Sequence, residues 1–304
     1  MPTPRMKKHE SLSLVLLLAV PLGACRSKQA DQVRTGPPPR EAAYLGQKPP
    51  GLTPEVFAPG IVTTEYMEFF GSFTPDLREF YFKRKGGKYD VSTLVVLRYE
   101  DDRWSESVVS PPEASIGEPS ISPDGNTLYL GSRYIERTPS GWSTVRSLGA
   151  PFEDTPIMRL TASAEGTYVF DEREEVGTLR YSRRIDGRRE APRAFGDEIN
   201  AGRWTAHPFI APDESYLIWD SEREGGYGDS DLYVSFRQKD GSWGPAVNMG
   251  GEINDERENI YGTVTPDGRY LFFHTYLEKG KSNIYWVDAQ ILEELRARSP
   301  STAL

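Results

Sequence analysis

The sequence predicts an all-β fold, a single β-propeller of five blades, and three observations predict it. First, one short turn occurs five times: Thr74-Pro75-Asp76, Ser122-Pro123-Asp124-Gly125, Ser163-Ala164-Glu165-Gly166, Ala211-Pro212-Asp213-Glu214 and Thr265-Pro266-Asp267-Gly268. Successive copies lie 48, 41, 48 and 54 residues apart, a period that matches propeller blades. Second, each turn is followed by a short apolar run: 80–82, 128–130, 168–170, 216–219 and 270–273. Continuous runs this short fit strands buried on both faces, as inner strands between neighbouring blades are. Third, the two ends of the ring supply complementary strands. The second and third units are the least regular, which leaves six blades as the alternative count.

The turn chemistry explains the repeat. Proline presets φ, aspartate follows, and glycine accepts the left-handed conformation that closes the hairpin. A further strand signal follows at 93–97, 178–181, 231–234 and 283–286, and is vague only around Tyr134-Ile135. A tip turn with a tryptophan comes next at Trp104, Trp142 and Trp243, whereas 186–189 fills that slot without one. Each tryptophan is expected to pack on the outer strand of its own blade. The last unit stops after its third strand, at Trp286-Val287. Its outer strand is expected from residues 55–61, which are similar to 243–249. Pairing the two ends leaves no open edge. Asp288 then caps a short helix over Ile291, Leu292 and Leu295.

The N-terminus reads as an export signal. Arg5, Lys7 and Lys8 precede an apolar stretch from Leu12 to Leu22, too short for an ordinary membrane span. It ends in Leu22-Gly23-Ala24-Cys25, with the only cysteine of the chain. This resembles the lipobox of bacterial lipoproteins. The resemblance implies a lipid on Cys25, cleavage before it, and stable anchoring by two or three acyl chains. With Arg26 rather than Asp after the cysteine, it also implies the outer membrane, with the ring facing periplasm or medium. The expected organisation is a signal peptide at 1–24, a flexible tether at 25–51, the propeller at 52–288, and a short helix and tail at 289–304.

Composition narrows the function. The formal charge is −9, and about −11 once the signal is removed. An acidic surface argues against nucleic-acid partners. One cysteine excludes an intramolecular disulfide.

The stretch 207–233, running through Asp220-Ser221-Glu222-Arg223-Glu224-Gly225-Gly226-Tyr227-Gly228-Asp229-Ser230-Asp231, resembles the WD-like repeat of TolB-type propellers. So does the continuation through Asp240-Gly241-Ser242-Trp243-Gly244-Pro245 and Glu252-Ile253-Asn254. The resemblance spans about 240 residues and implies a binding or scaffolding ring in the cell envelope. The chain departs from those relatives in lacking an OmpA-like C-terminal domain and TolB's N-terminal α/β domain, so peptidoglycan binding and a Tol role do not carry over.

No catalytic motif is legible. There is no Gly-x-Ser-x-Gly elbow, no HExxH, no paired Cys or His at metal spacing and no phosphate loop. Only His207 and His274 follow the signal, neither in a triad setting. No cofactor or metal is expected. The acidic, glycine-rich 222–231 lacks EF-hand spacing. It is expected to be a tight connection in which Asp231 bonds backbone groups.

The candidate site is the ring axis. Residues just before each turn should face it: Phe70, Glu118, Arg159, His207 and Tyr261, with Met158 beside Arg159. Glu68, Asp154 and Glu258 lie further out. This mixture suits a ligand pocket, and equally a channel closed by mutual hydrogen bonds and water. The expected partner is an envelope protein or peptide, with carbohydrate second. A glycoside-hydrolase-like ring is the competing reading, with Glu118 and Glu258 as acid and base and His207 tuning them.

Overall fold

The computed structural model describes Met1 and residues 36–173, 177–278 and 280–299. The chain divides into two units, residues 1–35 and 36–304, and the architecture here is that of the second. The lipidation site expected at Cys25 lies outside the described residues. Among the described residues no helix is long and apolar enough to cross a membrane.

The fold is a five-bladed β-propeller. Blade 1 is built from Met67–Phe73, Glu79–Gly86, Tyr89–Glu100 and Arg103–Val108, all antiparallel. Blade 2 uses Pro119–Ile121, Thr127–Leu130, Arg133–Thr138 and Arg146–Ser147. Blade 3 uses Ile157–Ala162, Tyr168–Glu172, Thr178–Ser182 and Arg193–Ala194. Blade 4 uses Trp204–Ile210, Tyr216–Glu222, Asp231–Phe236 and Val247–Asn248. Blade 5 takes Asn259–Val264, Tyr270–Glu278 and Lys281–Asp288 from the end of the chain, and Glu55–Val56 from its beginning. Glu55 lies opposite Trp286 and Val56 opposite Tyr285, so the N-terminal strand completes the last blade as expected.

The turns work as the sequence implies. In Ser122-Pro123-Asp124-Gly125 the Asp124 carboxylate accepts from Ser122 Oγ at 2.5 Å and from the Asn126 N–H at 3.0 Å. Gly125 carries a φ of 75°, which glycine adopts without steric cost. Asp231 accepts from the Tyr227 N–H at 2.7 Å and the Gly228 N–H at 3.1 Å, and thereby holds the acidic connection closed. The helix Gln290–Arg298 buries Ile291, Leu292 and Leu295, and Asp288 accepts from the Gln290 N–H at 2.9 Å.

Two expectations need correction. Residues 36–51, expected in the tether, belong to the ring. Tyr44 is buried against Phe73, Tyr270 and Trp286, and Arg78 donates to the Gly36 carbonyl at 3.1 Å. Composition hides this because one buried aromatic anchors an otherwise polar, proline-rich segment. The tip tryptophans also reach beyond their own blades. Trp142 donates through Nε1 to Tyr81 of blade 1 at 3.1 Å, and Trp243 packs on Phe195 of blade 3 with centroids 6.2 Å apart. A tip is surrounded by the preceding blade as much as by its own, and the indole follows the larger apolar surface.

Candidate functional site

Four inner strands carry a β-bulge at the axis. In blade 3 it falls between Ile157 and Leu160, and in three others the register breaks between Phe69 and Ser72, between Ala206 and Phe209, and between Ile260 and Thr263. In these three, one residue adopts a left-handed φ: Phe70 at 67°, His207 at 50° and Tyr261 at 63°. Such a conformation costs roughly 1–3 kcal/mol at a non-glycine residue and needs compensation. Carboxylates of the preceding blade supply it in two cases. Asp171 accepts from the His207 N–H at 2.8 Å, and Asp220 accepts from the Tyr261 N–H at 3.0 Å. Asp171 also takes the Arg159 N–H at 2.7 Å. Gly71 and Gly262 follow two of the bulges because a Cβ there would sit 2.7 Å from Phe80 and 2.6 Å from Ile218.

These contacts bring Glu118, Arg159, His207 and Tyr261 into one cluster. His207 Nδ1 lies 2.9 and 3.1 Å from the two oxygens of Asp220, and its Nε2 lies 3.6 Å from Glu118. Burial alone would push the imidazole down. Asp220 and Glu118 overrule it and hold its pKa well above the ordinary value. Burial likewise opposes ionisation of Glu118, but His207, Arg159 and Lys83 keep it below the usual carboxylate range. Asp171 is pushed up to about 6, first by burial and then by Glu118. The Arg159 guanidinium stacks on Tyr261, 3.2 Å from the ring centroid, and the Tyr261 hydroxyl donates to the Pro119 carbonyl. Phe70 packs on Tyr261 with centroids 4.4 Å apart.

Four further axial residues escape the sequence argument: Lys83, Asp171, Asp220 and His274. The signal is present. Three of them lie nine residues after the first residue of their turn and Asp171 lies eight after, at the end of each apolar run. Gly131 holds this place in blade 2. Burial lowers the Lys83 pKa to about 8. His274 is fully buried, neither ring nitrogen has a hydrogen-bond partner among the described residues, and burial holds it well below the ordinary value.

Above this floor is a mouth. Met67 and Tyr276 are half-buried and pack on Phe69, Phe70, Ile260 and Tyr261. Glu258 stands exposed at the start of its inner strand. Its carboxyl is held above the usual range by the surrounding protein and by Asp229, Asp220 and Glu222. Burial, followed by the charge of Glu258, pushes the Tyr276 phenol up to about 12. Glu118 and His207 each keep 11% of their side chain exposed, whereas Asp220 keeps none. Two expected positions lie elsewhere. Glu68 is fully buried and locked by Arg84 Nε at 2.9 Å and Thr64 Oγ1 at 2.6 Å. Asp154 is exposed on the connection into blade 3. Among the described residues no group of three or more His, Cys, Asp or Glu is placed to hold a metal ion.

No protein family profile and no curated protein matches the chain. Solved structures do. The catalytic domain of a Coprinopsis cinerea GH62 α-L-arabinofuranosidase superposes with a TM-score of 0.52 at 10% identity, over 79% of this chain and 98% of that one. A thermostable family-43 glycoside hydrolase gives 0.46 at 15% identity, over 75% and 91%. TolB from Acinetobacter baumannii gives 0.42 at 10% identity, and the match covers 73% of this chain but only 54% of that TolB. The GH62 match agrees with the propeller fold and, at that identity, with nothing finer.

Proposed function

We propose that the chain is a lipid-anchored envelope protein whose ring binds a protein or peptide segment at the axial mouth, without catalysing a reaction. The observation that carries this is the contrast between floor and mouth. Below, Asp171, Asp220, His207 and Tyr261 are committed to one another and to backbone amides. A floor so tied is a rigid surface. Above, half-buried Tyr276 and Met67 lie beside exposed Glu258, which suits a side chain with an apolar stem and a cationic end. The family resemblance to TolB-type repeats supports the same reading.

A second reading, glycan binding or hydrolysis, has one observation of its own. Glu118 is held low and Glu258 high, the opposed shifts that an acid–base pair uses. In-cell crosslinking of the full lipidated chain, followed by mass spectrometry, separates the two. One dominant protein partner, lost in a Glu258→Ala/Tyr276→Ala variant, supports peptide binding. Saccharide retained on the ring with no protein partner overturns it, and glycosidase assays on Glu118→Gln and Glu258→Gln follow. The rim residues are the right ones to change, because alanine at buried Glu118 or His207 would disrupt the ring itself.

A further inference from the structure

The five clefts between neighbouring blades are built alike, and the chain fills two of them with its own terminal segments. Between blades 5 and 1 the occupant is Tyr44. Its ring lies 5.4 Å from Phe73, 4.8 Å from Tyr270 and 5.7 Å from Trp286. Trp104 Nε1 donates to the Ala42 carbonyl, two residues before that ring, at 2.8 Å. Between blades 4 and 5 the occupant is the C-terminal helix, with Leu292 and Leu295 packed among Ile218, Val234 and Val264. Between blades 1 and 2, Tyr81 itself fills the seat and takes the Trp142 N–H. Between blades 2 and 3, Tyr129 and Tyr168 lie 5.3 Å apart under Arg189.

Those last two clefts keep cavities of about 420 and 360 Å³ beside their tyrosines, whereas the cleft between blades 3 and 4 has Val169 at the position of Tyr81 and Tyr129. It is open, with a volume of about 290 Å³, lined by Val169, Tyr181, Phe195, Ile210, Glu214 and Trp243 among others. It is the counterpart of the Tyr44 seat position by position. Val169 pairs with Tyr181 as Phe272 pairs with Trp286. Ile210 precedes its turn as Phe73 does, and Glu214 ends its turn as Leu77 does, each with a left-handed φ. Trp243 stands where Trp104 stands, yet its Nε1 has no hydrogen-bond partner among the described residues. Valine in place of phenylalanine at 169 leaves the room. An apolar cavity of about 150 Å³ already admits a benzene ring.

We propose that this cleft is a docking site for a turn-forming segment of a partner protein, which inserts one aromatic side chain as Tyr44 does in its own seat. The ring sits between Val169, Tyr181 and Ile210, and Trp243 Nε1 donates to a backbone carbonyl of the same segment. Arg237 lies over Trp243 at 4.9 Å and holds that indole in place. The proposal rests on the ring being a peptide binder, but puts the contact away from the axis.

The test is selection of a random twelve-residue display library on the folded chain, with counter-selection on Ala194→Trp. Ala194 is exposed and lines the cleft, so an indole there blocks it from outside without changing the ring core. Peptides enriched on the unchanged chain should share a Tyr, Phe or Trp. Their affinity should fall about 3- to 10-fold on Trp243→Phe, the loss of one hydrogen bond, and stay unchanged on Glu258→Ala. Peptides that bind the blocked variant equally, or lack an aromatic residue, overturn the proposal. Should Ala194→Trp fail to fold, the Trp243→Phe comparison decides alone. Binding lost on Glu258→Ala but kept on Trp243→Phe would refute the cleft and uphold the axis.

Discussion

Replacing Asp220 by asparagine tests the electrostatics of the axis directly. Asn keeps the size of the side chain and one oxygen to accept the Tyr261 N–H, bonded at 3.0 Å in the native ring. It removes the charge that faces His207 Nδ1 at 2.9 Å. Breaking a fully buried ion pair costs about 3–5 kcal/mol. Glu118 remains on the other side of the imidazole at 3.6 Å, so the low end applies, about 3 kcal/mol. For a domain of this size that lowers Tm by about 6 °C.

The pH dependence gives the sharper readout. The folded pKa of His207 is raised, so its stabilisation is fully present below the unfolded value of about 6.5 and is lost as pH rises through the higher folded value. Asp220→Asn removes most of that contribution. The stability gap between the two proteins should therefore be widest below about pH 6.5 and narrow above it. Urea unfolding across that range measures it. A gap below about 1 kcal/mol, or one that does not change with pH, refutes a charged His207 held by two carboxylates.

Other outcomes follow from neighbouring contacts. Tyr44→Ala should lose about 3–5 kcal/mol by thermal or urea unfolding, because the ring is buried in the largest aromatic cluster and its hydroxyl donates to Asp267. A loss under about 1 kcal/mol would return residues 36–51 to the tether. His274→Phe should match the native ring near pH 8. At pH 5 it should be more stable by about 2 kcal/mol, because the folded pKa of His274 is depressed and the unfolded chain gains its proton below about 6.5. Equal acid sensitivity of the two proteins would contradict a neutral, buried His274. The 222–231 connection is closed by Asp231 through two backbone N–H groups and the Asn248 amide. Excess EDTA or calcium should therefore leave Tm unchanged, whereas Asp231→Ala should open the connection to protease.

The blades are legible in the sequence because each is a local object. Turn, apolar run and tip lie within some fifty residues, and turn chemistry depends on residue type alone. The axial inner-strand residues are legible for the same reason, since one offset from the turn finds Phe70, Glu118, Arg159, His207 and Tyr261 together. Their partners on the second strand are harder to see. Asp171 and Asp220 end apolar runs, where a carboxylate looks like the solvent-facing end of a strand. Their task is to accept N–H groups from a bulge in the following blade, and nothing in the local pattern announces a bulge. Tyr44 fails to show for a related reason. Its contacts are with residues 73, 270 and 286, and only ring closure brings those together.

A ring of equal blades gives its own control experiment. At any position, four other copies show what the scaffold alone requires, so a departure in one blade calls for a separate cause. Lys83, Gly131, Asp171, Asp220 and His274 are four different answers from five blades at one position. Core packing cannot explain that spread, because the apolar residues just before them pack in the same way from blade to blade. The two aspartates are explained by the bulges they cap. The glycine is explained by crowding, since a Cβ at Gly131 would lie 2.6 Å from the Ile157 carbonyl. Lys83 and His274 cap nothing comparable. They flank Phe70, the one left-handed axial residue without a carboxylate behind it. The axis is therefore acidic and bonded toward blades 3 and 4, and aromatic and weakly bonded toward blades 5 and 1. A ligand entering the mouth would meet least resistance on the Phe70 side, beside Met67 and Tyr276.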